Sequence, residues 1–445
     1  MIDKSRIEEA MQTAIDHSTA DQTEVLANNR SMALTRFSNN YIHQNVAETN
    51  MSLSVRAVID KKQGYASTNR LDKDSIKEMV DKAIEIAEHR PPDPDFISLP
   101  KPRPIVQRDM VSDTTVDYTP KQRASAIQRL LNVVAPRNFT AARAFSTGYT
   151  TFGVANSLGV NAVETISEAD LKTVVMSPTS SAFGSAVAVD VSNIDIEKIA
   201  LEAEETTLRG QNPVGLKPGT YTVILSPNAV ADMVSFMAFA GFGALSLQEG
   251  RSFMKDKFGQ QIMSQNISIW DDAYDPNTIG FTFDFEGVPK EKVVFIENGT
   301  AKGVCYDSYT AKKEGKKSTG HALPAPNPYG PLPLNLIMSP GDSSLEQMVK
   351  TSERAILVSR FHYTNLEDPI RTVLTGMTRD GTFLIEDGEI KMPVKNLRFT
   401  QSIVEALSKV ELVSMDRELR EGMLGASYIP WLKISEFNFT GATQF

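Results

Sequence analysis

The stretches NYIHQNVAET (40–49) and NSLGVNAVET (156–165) read alike, and this likeness decides the fold predicted for the first half of the chain. Two asparagines, a glutamate and a threonine recur between them at a constant offset of 116 residues. Farther on, five residues between Gly64 and Glu85 recur between Gly184 and Glu205 at an offset of 120. A difference of four residues is the size of an ordinary loop insertion. We therefore predict an internal duplication, with chance similarity between two strand–helix units as the alternative.

Each copy reads as extended strands, then a glycine-bearing strand, then an amphipathic helix. The first copy predicts strands at 23–36, 40–48 and 51–60 and a helix at 74–89. The second copy predicts strands at 139–153, 159–166, 169–177 and 183–190 and a helix at 193–209. A further helix is predicted at 120–135, because Thr119 and Pro120 form a good N-cap and first-turn pair. Strand groups with helices on one face predict an α+β domain.

The chain is too long for one hydrophobic core, at 445 residues. We expect an N-terminal α+β domain at 1–212 and a β-rich C-terminal domain with a few helices at 213–445. Between the two copies lies the segment 91–104, with six prolines in fourteen residues, which predicts a stiff extended connector. In the second half, Asn298-Gly299 and Asp387-Gly388 predict two hairpin turns, and helices are predicted at about 228–240, 344–353 and 400–407. The proline-rich stretch at 323–335 predicts a long loop, of the kind that is functional or disordered.

Composition excludes several classes of function. A net charge of -9 argues against a protein that binds the phosphate backbone of nucleic acids. The one dense basic run, Lys312 to Lys317, reads as a solvated loop. With Cys305 as the only cysteine, no internal disulfide is possible, and a reducing compartment is expected. Residues 1–17 read as a charged amphipathic helix and not as a signal peptide, and the longest near-apolar run is too short to cross a bilayer. We expect a cytoplasmic protein without nucleic-acid or membrane partners.

Several blocks carry a resemblance to a known protein family. They are QGYASTNRLDKDSIKEMVDKAIEIA (63–87), LKPGTYTVILSPNAVADMVSF (216–236), DFEGVP (284–289), FIENGTAKGVCYDSYTAKKEGKKSTGHA (295–322) and GTFLIEDGEI (381–390). The chain resembles the TldD/PmbA family over nearly its whole length, and the form STGHA is similar to that of the PmbA or TldE arm. The resemblance implies a dimer with a central cavity. It also implies that a metal-bearing and a metal-free subunit together cleave unfolded peptides, with gyrase-poison precursors and antitoxins as substrates.

The segment 235–241 decides which arm the chain resembles. The metal-bearing arm has a His-Glu-x-x-x-His zinc motif there, whereas this chain has SFMAFAG, without a histidine or a carboxylate. A catalytic zinc needs about three protein ligands and a carboxylate that takes the proton of the bound water. Phe236, Met237 and Gly241 mark this degenerate motif. The late cysteine ligand of the metal-bearing arm is missing as well, since residues 410–445 contain none. We expect this chain to bind no metal or other cofactor and to be inactive alone.

A peptide groove is the remaining candidate site. Ser318, Thr319, Gly320 and His321 follow the lysine-rich turn and precede the proline-rich loop, and they could line such a groove. A buried histidine that anchors a loop is the alternative for His321. A third possibility is a hydrolase in which His321 activates Ser318 or Thr319. The other histidines, His17, His43, His89 and His362, have no histidine neighbour at metal-ligand spacing.

Two functions from different classes follow. In the first, the chain is the non-catalytic, substrate-shaping subunit of a TldD/TldE-type cytoplasmic metalloprotease, and a zinc-bearing TldD-type subunit is its partner. In the second, it is a stand-alone homodimer that binds peptides or other ligands without proteolysis. Whether it is an enzyme in its own right is left open by the sequence.

Overall fold

The computed structural model describes residues 4–443. The α-helices of this part of the chain are α1 Lys4–His17, α2 Lys73–Glu88, α3 Asp113–Val116, α4 Pro120–Val134, α5 Ile196–Arg209, α6 Pro227–Gly241, α7 Ala244–Gln248, α8 Ser308–Lys313, α9 Leu345–Lys350 and α10 Ile403–Ser408. No helix within 4–443 is long and apolar enough to cross a bilayer.

The first sheet is antiparallel and has six strands in the order β3-β2-β1-β4-β5-β6. Its strands are β1 Gln22–Ser38, β2 Tyr41–Ile59, β3 Lys62–Thr68, β4 Thr140–Asn156, β5 Asn161–Met176 and β6 Ser181–Ala188. Helices α1 and α2 cover one half of one face, and α4 and α5 cover the other half. The order helix, three strands, helix therefore occurs twice. The strands and the helix that follows them agree with the repeat in the sequence, which did not include the leading helix.

The second sheet has more strands and forms the β-rich half of the molecule. Its strands are β7 Gly219–Leu225, β8 Ile269–Asp271, β9 Val293–Glu297, β10 Thr300–Ala301, β11 Leu336–Met338, β12 Arg354–Asp368, β13 Val373–Glu386, β14 Glu389–Pro393, β15 Leu397–Ser402, β16 Val410–Gly422 and β17 Gly425–Ala442. Because β7 pairs with both β12 and β17, the strands β7, β12, β13, β15 and β17 close into a ring. The α+β class is confirmed, with a strand-rich C-terminal half. The expected domain boundary at 212–213 falls in the segment between α5 and β7.

Local signals explain why the helices start where they do. Asp72 caps α2 by accepting the backbone N–H of Ser75 at 3.0 Å. Thr119 and Gln122 form a capping box at the start of α4, with Pro120 as the first helical residue. Both predicted hairpin turns have the expected positive φ angles, +47° and +75° at Asn298-Gly299 and +52° and +75° at Asp387-Gly388.

Three expectations about strands and helices were wrong in detail. Strands predicted at 40–48 and 51–60 are one strand, β2, because it pairs with β1 almost without interruption. The strands predicted at 159–166 and 169–177 likewise merge into β5. The helix predicted at 400–407 begins only at Ile403, since residues 397–402 pair with β13 and β17 as strand β15. Sheet pairing overrode the local pattern in each case.

Candidate functional site

Helix α6 carries the segment 235–241 and lies inside the largest hydrophobic core. Ser226 caps its first turn and Pro227 is its first residue. Met237 and Gly241 are buried, and Phe236 is half-buried against the same core. A Cβ atom on Gly241 would lie 2.4 Å from the ring of Phe253, so no larger side chain fits there. The three residues of the degenerate motif are therefore packing residues.

The residues along α6 do not fit a catalytic zinc. Asp232 is the one ionisable residue between 227 and 241. Its carboxylate accepts the Thr364 hydroxyl at 2.6 Å, and burial raises its pKa. Within residues 4–443, no three His, Cys, Asp or Glu side chains are grouped as metal ligands. One carboxylate, already bonded to Thr364, and no imidazole cannot make up both the three ligands and the proton acceptor that a catalytic zinc needs.

His321 lies fully inside the fold, between two polar partners. Its Nε2 is 3.1 Å from Asp271 Oδ1, and its Nδ1 is 3.0 Å from the Thr319 hydroxyl. Burial opposes ionisation of Asp271, but Lys290 and His321 beside it lower the pKa of Asp271 to about 2. Burial lowers the pKa of His321, which favours the neutral imidazole.

The neighbours of His321 hold a loop in place. Thr319 Oγ1 accepts the backbone N–H of Tyr306 at 2.8 Å, and Ser318 Oγ donates to the Tyr306 carbonyl at 3.2 Å. Ser318, Gly320 and His321 are buried, and Thr319 is half-buried. These residues present almost no surface on which a peptide could lie. Their arrangement is that of the loop-anchoring alternative, and a hydroxyl activated by His321 would have no open substrate site in front of it.

A cleft lies where the N-terminal sheet meets the connector and the proline-rich loop. We call it the connector cleft. It has a volume of about 300 Å³, and its lining includes Arg56, Asp93, Glu286, Asp307, Tyr309 and Pro326. Arg56 Nη2 lies 2.8 Å from Glu24 and 3.8 Å from Glu286, which joins the first sheet to the C-terminal half by a buried ion pair. Arg56 Nε has no hydrogen-bond partner among residues 4–443.

Asp307, which lines this cleft, and Asp284, which interacts with Glu286, both resist ionisation. Burial and the neighbouring Glu286 raise the pKa of Asp307 to about 6, although Asp307 caps α8 by accepting the Thr310 N–H at 2.7 Å. Burial and Glu286 also raise the pKa of Asp284 to about 8. Asp284 accepts the backbone N–H groups of Val288 and Ala322, each at 2.9 Å. Excess carboxyl groups around one guanidinium thus make the cleft sensitive to pH.

The lysine-rich turn ties the connector down and is not a freely solvated loop. Lys312 Nζ donates to the Ser98 carbonyl at 2.9 Å, and Lys313 Nζ lies 2.7 Å from Asp95. Sequence reasoning missed this cleft because its charged residues come from separate segments. The signal that was available is that Glu286, Asp307 and the lysines lie in or beside the blocks that carry the family resemblance.

Comparison with known families identifies the fold and its lineage. The model of the PmbA/TldA metallopeptidase C-terminal domain matches residues 218–441, and that of domain 1 of the same metallopeptidases matches residues 23–87. The chain belongs to the PmbA/TldD family. It is 29% identical over 238 residues to an uncharacterized protein of Methanocaldococcus jannaschii, covering 53% of this chain and 55% of that protein. The chain spans about half the length of the first curated relatives that it matches.

A PmbA-type relative matches over a longer part of the chain. The metalloprotease PmbA homolog of Haemophilus influenzae is 25% identical over 410 residues, which is 88% of this chain and 87% of that protein. Among solved structures, TldE from Thermococcus kodakarensis superposes with a TM-score of 0.87 at 22% identity, covering 98% of this chain and all of the other. A protein of Thermotoga maritima described as a candidate modulator of a DNA gyrase has a TM-score of 0.85 at 17% identity, covering 98% of this chain and 100% of the other. These structures share the fold of the PmbA/TldD family with this chain.

Proposed function

We propose that this chain is the non-catalytic, substrate-shaping subunit of a TldD/TldE-type metalloprotease that acts on unfolded peptides. A zinc-bearing relative would supply the cutting site. The observation that carries the proposal is helix α6, which keeps its place in the core but has Ser235 to Gly241 where a hydrolase would need imidazole and carboxylate groups. The chain fits a partner role better than a cutting role for that reason.

The compartment and the assembly belong to the same proposal. A single buried cysteine, Cys305, suits a reducing compartment such as the cytoplasm, because no disulfide contributes to stability. Exposed apolar side chains such as Tyr363 and Met415 offer contact surface to a partner subunit.

Co-expression with a zinc-bearing relative tests the proposal directly. The relative chosen should have the His-Glu-x-x-x-His motif at its counterpart of α6, and the readout is cleavage of an unfolded fluorogenic peptide. We expect cleavage by the purified complex, and little or none by either subunit alone. A chelator should abolish the cleavage by removing metal from the relative only.

Two results would overturn the proposal. One is cleavage by the relative alone at the rate of the mixture. The other is about one zinc per chain in this protein purified alone, with peptidase activity that is lost when a chelator removes it. Sedimentation of the chain alone and of the mixture distinguishes a mixed complex from the stand-alone homodimer.

A further inference from the structure

The two halves of the first sheet have corresponding strand registers. In the first unit, Met32 faces Glu48 and Leu34 faces Val46 across β1 and β2. In the second unit, Phe152 faces Glu164 and Val154 faces Ala162 across β4 and β5, so the same pairs recur at offsets of 120 and 116. Leu53 pairs with Thr68 across β2 and β3. At the same offsets, Ala169 pairs with Ala188 across β5 and β6. The register thus identifies the counterpart of every groove residue.

In the second unit, the sheet face opposite the helices is filled by an extended segment of the C-terminal half. Phe281, Phe283 and Phe285 lie over Phe152, with ring centroids 5.5, 5.8 and 4.7 Å away. The carboxylate of Glu164 is buried and accepts both the N–H and the hydroxyl of Thr282, at 2.8 and 3.1 Å. One short segment therefore satisfies both the apolar and the polar groups of this face.

In the first unit, the equivalent face is open. A groove of about 380 Å³ is lined by Arg30, Met32, Leu34, Arg36, Gln44, Val46, Glu48, Asn50 and Ser146. Glu48, the counterpart of Glu164, is exposed, and its side chain has no hydrogen-bond or ion-pair partner among residues 4 to 443. We call this surface the open groove. It has the same strand arrangement as the face of the second unit that residues 281–285 cover, which we call the filled groove. No segment of the described chain covers the open groove.

The strand edge beside the open groove is also uncovered. Strand β3 pairs with β2 only from Leu53 to Ile59, so residues 41–52 of β2 have no outer neighbour within the described chain. In the second unit, the segment that follows the connector lies along the corresponding edge, where Ser167 donates its N–H to the Met110 carbonyl at 2.9 Å. An exposed strand edge of this length pairs readily with another extended chain.

The charge of the open groove and the burial of residues 281–285 indicate which kind of molecule binds there. Arg30 and Arg36 stand where the second unit has Thr150 and Asn156, which makes the open groove more cationic than the filled one. A folded second copy cannot supply the segment 281–285, because its Phe283 is only 1% exposed. We propose that the open groove binds an extended peptide with alternating apolar and acidic side chains, whose backbone N–H groups and hydroxyls reach Glu48. The assignment rests on the proposed function only in taking this peptide as a substrate.

A labelled synthetic peptide tests this site in the isolated chain. The probe is GFTFDFEG, the sequence of residues 280–287, which fills the groove of the second unit. We expect saturable binding by fluorescence anisotropy, and at least about tenfold weaker binding by the variant Val46→Glu, since its carboxylate would repel the acidic peptide and disrupt the apolar floor. The matched control is Ala47→Glu, on the adjacent exposed residue whose side chain points to the other face of the strand.

Charge reversal gives an independent measurement. A probe with both acidic residues replaced by lysine should bind at least about tenfold more weakly, and Arg36→Glu should reduce or reverse this preference. Absence of saturable binding, or equal loss in Val46→Glu and Ala47→Glu, would overturn the assignment. So would sedimentation showing that Val46→Glu dissociates a homodimer that the peptide does not disturb, because a second copy would then be the occupant. The assay needs no partner subunit, so its failure is distinguishable from failure of the cleavage experiment.

Discussion

At the scale of single residues, Asp307 makes folding stability depend on pH. Its pKa is raised to about 6 in the folded chain, so the folded state keeps a proton that the unfolded state loses near pH 4. The stabilising contribution is full below about pH 4 and is lost as the pH rises through 6. Asparagine does not ionise, and its side-chain oxygen can still cap α8. Between pH 4 and pH 7, the free energy of unfolding of Asp307→Asn should rise by about 1–3 kcal/mol relative to that of the parent chain.

Chemical denaturation at several pH values checks this expectation. The difference in the free energy of unfolding between the variant and the parent should change steadily from pH 4 to pH 7. A difference that is the same at every pH would contradict it.

His321 is expected to matter for stability. Replacing it by alanine leaves the buried carboxylate of Asp271 without its imidazole partner and opens a cavity, which should cost about 3 kcal/mol. Thermal unfolding measures the effect, and His43→Ala is the control because His43 is exposed on β2. If His321→Ala unfolds like its control, the loop-anchoring role is wrong.

At the scale of secondary-structure elements, two equivalent glycines set the distance between strand and helix. A Cβ atom on Gly64 would lie 1.9 Å from the Ala83 carbonyl oxygen in α2, and one on Gly184 would lie 2.7 Å from the side chain of Ile199 in α5. Gly64→Ala should destabilise the fold by about 3 kcal/mol or more, because backbone would have to move. Gly184→Ala should cost less, since a side chain can yield.

The control for both substitutions is Gly215→Ala, where nothing lies within 4 Å of the added atom. Denaturant midpoints of the three variants provide the comparison. An unchanged midpoint for Gly64→Ala would show that strand and helix are not in close contact in solution.

Some features of the helices and strands could be predicted from the sequence, and others could not. Caps and turns were predictable, because Thr119-Pro120 and Asn298-Gly299 act on their own neighbours. The long strand β17 was not located, since its pairing with four other strands is decided by residues far away in the sequence. The repeat offsets were available, but only the observed register shows that one groove is filled and the other open.

The candidate sites were less predictable than the fold. The groove suggested at Ser318 to His321 is buried, because the polar side chains that looked available are used by Asp271 and Tyr306. The connector cleft combines Arg56 with Glu286 and Asp307, and no local spacing links residues so far apart. That residues 227–241 contain one carboxylate and no histidine could be predicted, since it needs only residue identity.

At the scale of the whole molecule, the two sheets should unfold together. The segment 281–285 of the C-terminal half lies in the core of the N-terminal sheet, and Arg56 bridges Glu24 to Glu286. Because these contacts are buried, we expect one cooperative transition by calorimetry and not two. The variant Phe283→Ala should lower the midpoint and bring a second transition into view.

Matching transitions by near- and far-ultraviolet circular dichroism would support this coupling. Two well-separated transitions in the unmodified chain would contradict it and would mean that the halves are independently stable.

The lone thiol of Cys305 has a practical consequence. Its sulfur is fully enclosed beside the Phe242 carbonyl, and burial raises the pKa of Cys305 well above its usual value. Alkylating reagents and mild oxidants should therefore leave the native chain untouched. A cysteine introduced at an exposed position such as Asn45 would be the single reactive handle for a fluorophore or a spin label. The protein as it stands is a ready-made scaffold for site-specific labelling, with no background to remove.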